Sequence, residues 1–132
     1  MRVEQVLKDS EQGVLNTAGE FVRKGTIYTM LLNAHLYEEW LLSNKTENLD
    51  SLLDDIRVNV QNVARTGLFN FFTINEWLQN PSKEGRIVTA VLYCQSHPEV
   101  IDPQIHEQLQ KLEAMTSPST VCQIQKALAA AL

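Results

Sequence analysis

Basic residues are scarce in this chain. Eleven lysines and arginines stand against sixteen aspartates and glutamates, a formal charge of -5 over 132 residues. Gripping phosphates takes a basic footprint, so the balance argues against a nucleic-acid or anionic-membrane binder. Cysteine is scarcer still. Cys94 and Cys122 are the only two, too few for a disulfide scaffold. No apolar run reaches the roughly 20 residues of a bilayer span. The densest zone, Ile27 to Leu42, is broken by Asn33, His35, Glu38 and Glu39. Residues 1–9 carry charge every few positions instead of the apolar centre of a signal peptide, so the expectation is a cytoplasmic protein with both cysteines as thiols. Several signatures are missing too: a phosphate loop, Gly-x-Gly-x-x-Gly, an EF-hand loop and zinc-finger spacing. Glu-x-x-His, His-Glu-x-x-His and Cys-x-x-Cys-His are also absent, which disfavours di-iron bundles, zincins and covalent haem attachment.

What the chain does have is helical periodicity. Apolar residues are 44% and charged residues 20%, ordinary values for a globular protein. The five glycines and four prolines fall as punctuation between periodic stretches, with no repeat, low-complexity tract or linker. Val3 to Lys24 places apolar residues at mostly helical spacings, weakened at Gly13 and Gly19. Thr26 to Ser43 is apolar nearly all round, the pattern of a helix in the middle of a bundle. Asn48 to Thr66 steps Leu49, Leu52, Leu53, Ile56, Val60 and Val63 by three or four. Aspartates occupy its first turns, and Gly67 stands where a left-handed residue ends a helix. Leu68 to Phe72 reads as an apolar hinge, and Thr73 to Glu76 as a capping box. Lys83 to Gln95 reads as a helix, since a lone strand would find no partner here. Asp102-Pro103 and Ser117-Pro118 are two helix starts of one kind, a capping residue followed by proline. The expected fold is all-α: one compact domain over residues 1–132, a bundle of roughly five to seven helices with short connections, built around the Thr26–Ser43 and Asn48–Thr66 pair.

Four groups of residues carry candidate chemistry. His35 lies three and four residues before Glu38 and Glu39, so a helix places all three together. An imidazole beside carboxylates suits a metal; an ordinary surface ion pair needs the same spacing. Cys94 and His97, spaced Cys-x-x-His, could serve a zinc or a haem iron. A buried thiol and a histidine at a helix C-terminus account for them equally well. Glu38 and Glu39 with Asp50 and Asp54 from the next helix could share a divalent cation through oxygen ligands, or could be solvated helix surface. Tyr37, Trp40, Phe69 and Phe72 could wall an apolar cavity between helices, or fill the core.

No complete catalytic set emerges. The leading expectation is a small non-enzymatic interaction or regulatory protein with a protein partner or self-association. The narrow apolar stripe of Pro103–Met115 and the Ala-rich last helix are its expected surfaces. The second is a protein binding haem or another apolar cofactor through His35, with Tyr37, Trp40, Phe69 and Phe72 as walls and Cys94 and His97 as reserve ligands. The third is a metal-dependent hydrolase using Glu38, Glu39, Asp50 and Asp54.

Overall fold

The chain is all-α in a computed structural model that describes residues 14–15, 21–22, 24–65 and 67–132. Seven α-helices follow one another among these residues: α1 Lys24–Leu42, α2 Leu49–Ala64, α3 Leu68–Phe71, α4 Ile74–Trp77, α5 Glu84–Ser96, α6 Pro103–Glu113 and α7 Pro118–Ala130. A 3₁₀ turn, Pro98–Val100, joins α5 to α6. Before them β1 (Val14–Leu15) pairs antiparallel with β2 (Phe21–Val22), Val14 opposite Val22. This corrects the helical reading at those four positions. Glycine weakens a helix by about 1 kcal/mol relative to alanine, and Gly13 and Gly19 both fall in that stretch. The remainder of the Val3–Arg23 reading lies outside the described residues.

The start signals work as local chemistry requires. The Thr73 hydroxyl accepts from the Glu76 N–H at 3.2 Å, and Asp102 Oδ1 accepts from the Ile105 N–H at 2.8 Å. Each satisfies one of the four donors that a helix start leaves unpaired. Gly67 adopts φ +88° between α2 and α3, a conformation that glycine adopts without steric penalty. Asn48 holds the N-cap position of α2 without a side-chain capping bond. Of Leu68 to Phe72, read as a hinge, Leu68–Phe71 closes into a single helical turn.

The centre of the bundle is α5, not the α1–α2 pair. Ile87, Val88, Thr89, Ala90, Val91, Leu92 and Cys94 are all fully buried. Helices α1, α2, α4 and α7 pack around α5. By contrast, α1 leaves Tyr28, Leu31, Leu32 and Leu42 exposed. The apolar circumference of α1 thus reflects a surface feature, whereas the β-branched run of α5 is closed in on every side.

Helices α6 and α7 complete this core. Ile105, Leu109, Leu112, Ile124 and Ala127 join one apolar cluster with Met30, Val60, Ile87 and Val91. The narrow stripe of α6, expected as a partner surface, is therefore spent inside. A second cluster gathers Tyr37, Leu49, Leu52, Leu53, Ile56, Val88 and Leu92 where α1, α2 and α5 meet. Among the described residues, no helix is long and apolar enough to cross a membrane.

Candidate functional site

The exposed face of α1 borders a groove of about 500 Å³. Ile27, Met30, Leu31 and Ala34 follow at helical spacing and form one wall. Leu68, Phe72 and Trp77 form the other, and His35, Glu38 and Arg86 complete the lining. The local sequence explains the shape. Gly67 turns the chain out of α2, and the Thr73 cap turns it again, so α3 and α4 are single turns that hold Leu68, Phe72 and Trp77 opposite α1. Met30, Ala34 and Trp77 are buried, while Leu31 and Phe72 are half exposed.

One contact fixes how closely α1 approaches α5 beside the groove. A Cβ on Gly85 would lie 1.9 Å from the Ala34 carbonyl oxygen, so α1 and α5 meet backbone to backbone at this point. The same Cβ would lie 2.8 Å from Glu38 Oε2. Glu38 therefore sits against the first turn of α5, where the N-terminal end of the helix dipole favours a negative charge.

The polar residues around the groove differ in their pairing. His35 Nε2 lies 3.1 Å from Glu39 Oε1, and the two side chains are 67% and 54% exposed. The imidazole thus belongs to the rim of the groove. Arg86 places its guanidinium carbon 5.6 Å from the centre of the Trp77 ring, a cation–π contact. It makes no ion pair among the described residues. Trp77 Nε1 is buried without a hydrogen-bond partner among the described residues.

Away from the groove, a polar network ties α1, α5 and α7 together. Glu84 Oε1 accepts from the Ser117 N–H at 2.9 Å, from Ser117 Oγ at 2.7 Å and from Thr120 Oγ1 at 2.7 Å. The Tyr37 hydroxyl lies 2.9 Å from both Ser119 Oγ and Thr120 Oγ1. One carboxylate thereby caps the start of α7 from another helix, in place of the glutamate that a capping box carries three residues after its serine. Burial raises the Tyr37 hydroxyl above its ordinary pKa.

The other residues singled out in the sequence are dispersed. Tyr37 is fully buried in the α1–α2–α5 cluster, and Trp40 is half-buried against it. The Phe69 ring meets Trp77 and Tyr93 edge-on, with centroids 5.5 Å and 4.7 Å apart, while Phe72 alone of the pair borders the groove. Cys94 is fully buried, and burial pushes its thiol up to about 12. His97 shares a hydrogen bond with Gln61 at 3.1 Å and lies 3.3 Å from Glu99. Asp54 is paired with Arg57 on α2, and Asp50 is exposed in its first turn. Among the described residues, no three histidine, cysteine, aspartate or glutamate side chains gather as a group that could hold a metal. The groove thus brings together His35, Glu38, Phe72 and Trp77, which follows Phe72 among the clustered aromatics, with Met30 from the apolar stripe of α1; it adds Leu68 and Arg86, which no motif marked as site residues. Ser117-Pro118-Ser119-Thr120 did carry one. It is a capping run with no acidic residue three places on, so its acceptor had to come from elsewhere in the fold.

Residues 4–96 match the family described as Domain of unknown function (DUF7709). The chain belongs to this family. The matched segment contains α1 to α5 and every residue of the groove; α6 and α7 lie beyond it, although Tyr37 and Glu84 of the DUF7709 segment bond directly to α7. No curated protein and no solved structure matches the chain.

Proposed function

We propose that this DUF7709 chain is a non-catalytic binding protein that takes a small apolar molecule in the groove between α1, α3–α4 and α5. The groove itself carries the reading: about 500 Å³ bordered by Ile27, Met30, Leu31, Ala34, Leu68, Phe72 and Trp77, with polar groups confined to His35, Glu38 and Arg86. Sites for small molecules have this form and fall within about 300–1,000 Å³. Apolar contact supplies the affinity, at roughly 25 cal/mol for each Å² removed from water. The buried state of Cys94 and the pairing of His35 with Glu39 support a binding role over a nucleophilic one.

The test uses the neutral fluorophore N-phenyl-1-naphthylamine. The expected result is a saturable, one-to-one rise in its emission with the wild-type chain and its loss in Leu31→Asp. Leu31 is 54% exposed, so the substitution puts a charge on the wall without opening the core. No rise in emission, or an equal rise with the variant, overturns the reading.

A further inference from the structure

The charges around the groove are unequally satisfied, and this inequality selects a ligand. His35 has Glu39 at 3.1 Å. Glu38 lies against the start of α5 beside Gly85, where the helix dipole stabilises its charge. Among the described residues, Arg86, in the first turn of α5, has the Trp77 face as its partner and no carboxylate. With respect to the described residues, its guanidinium keeps donors available at the edge of an apolar groove. We infer that the groove accepts an amphipathic monocarboxylate: a hydrocarbon tail against Ile27, Met30, Leu31, Leu68 and Phe72, and a carboxylate bound by Arg86. This rests on the binding reading above and adds the chemical class of its ligand.

Three physical points lead to this class. The planar guanidinium offers paired N–H donors that match the two oxygens of a carboxylate. Stacking over Trp77 restricts the Arg86 side chain before the ligand arrives, which lowers the ordering penalty on binding. Glu38 lines the same groove, so one negative charge is matched by Arg86, whereas the second charge of a dianion such as a phosphate monoester meets the Glu38 carboxylate. A cationic head would face Arg86 itself.

The test is calorimetric titration of decanoate, decanol and decyltrimethylammonium, each below its micelle concentration, into the wild type and into Arg86→Gln and Arg86→Lys. Decanoate is expected to bind about tenfold tighter than decanol, the scale of a charge-assisted hydrogen-bonded contact. Arg86→Gln should remove that preference by weakening decanoate far more than decanol, with Arg86→Lys in between. Arg86 is exposed, so neither substitution disturbs the core, and an unchanged thermal midpoint verifies it. Equal affinity for decanoate and decanol overturns the carboxylate assignment, as does an Arg86→Gln variant that retains the preference. Binding of decanol and of the naphthylamine probe would then leave the groove reading standing. Failure of all three ligands and of the probe overturns both.

Discussion

Gly85 lies so close to Ala34 that any Cβ it carried would stand 1.9 Å from the Ala34 carbonyl oxygen. Two opposed effects meet at this position. Alanine is a better helix former than glycine by about 1 kcal/mol. The clash is with backbone, which cannot rotate aside, and forcing apart a packed contact costs typically about 1–3 kcal/mol. The clash should win. Gly85→Ala is expected to lower stability by about 1–2 kcal/mol in urea denaturation. Ala34→Gly should not rescue it, because the offending atom is a carbonyl oxygen. An unchanged or raised midpoint would contradict the close approach.

The Glu84 network makes a separable prediction. Glu84→Gln leaves an acceptor but brings an amide N–H₂ among groups that already donate, with an expected loss of about 1.5–3 kcal/mol, the range of hydrogen bonds to charged groups. Tyr37→Phe removes one hydroxyl and should lose about 1 kcal/mol. Both changes act through Thr120, so the double variant should depart from additivity. Hydrogen exchange should locate the Glu84→Gln effect in the first turn of α7. Uniform loss of protection along the chain would argue against a capping role.

The two thiols should behave oppositely. Cys122 is exposed and Cys94 fully buried, so a disulfide-exchange reagent should titrate one thiol per native chain and two after unfolding. Burial raises the Cys94 thiol from 9.0 to about 12. The native state therefore holds its proton more tightly than the unfolded chain. This stabilisation is fully present below about pH 9 and is lost as pH rises from there towards 12. Cys94→Ala should flatten the alkaline fall in stability, even though the variant starts less stable for want of the buried sulfur. Two thiols reacting in the native state would refute the burial of Cys94.

Two local devices can be tested by single substitutions. Gly67 sits at φ +88°, where a Cβ costs about 1–2 kcal/mol, so Gly67→Ala should destabilise by that amount. Asp102→Ala deletes the capping bond to Ile105 and should lose about 1 kcal/mol. Thermal unfolding measures both, and no change in either would show that the turn or the cap is replaceable.

Much of the fold was legible because its signals are local. The three-and-four spacing of Leu49 to Val63, the left-handed turn at Gly67, the Thr73 capping box and the proline-led starts at Pro103 and Pro118 are each decided within a few residues, by backbone sterics and unpaired N–H groups. The layout was less legible. Apolar residues around α1 and around α5 look alike in one dimension, yet the first borders an open groove and the second is enclosed. Which of the two lies at the centre depends on what the other helices cover.

The candidate site divides in the same way. His35, Glu38 and Phe72 were visible as residue types in plausible places, but Tyr37 and Phe69 are as aromatic as Phe72 and point to the core and to a separate ring cluster. Only the tertiary structure brings Arg86 over Trp77, Glu38 to Gly85, and Glu84 across to Ser117. The amino-acid sequence by itself determined where helices begin, end and turn, since those choices are settled between neighbours in the chain. The groove, the pairing of its charges and the carboxylate that caps α7 were decided by packing, because they join residues far apart in the chain whose mutual distance no local preference encodes.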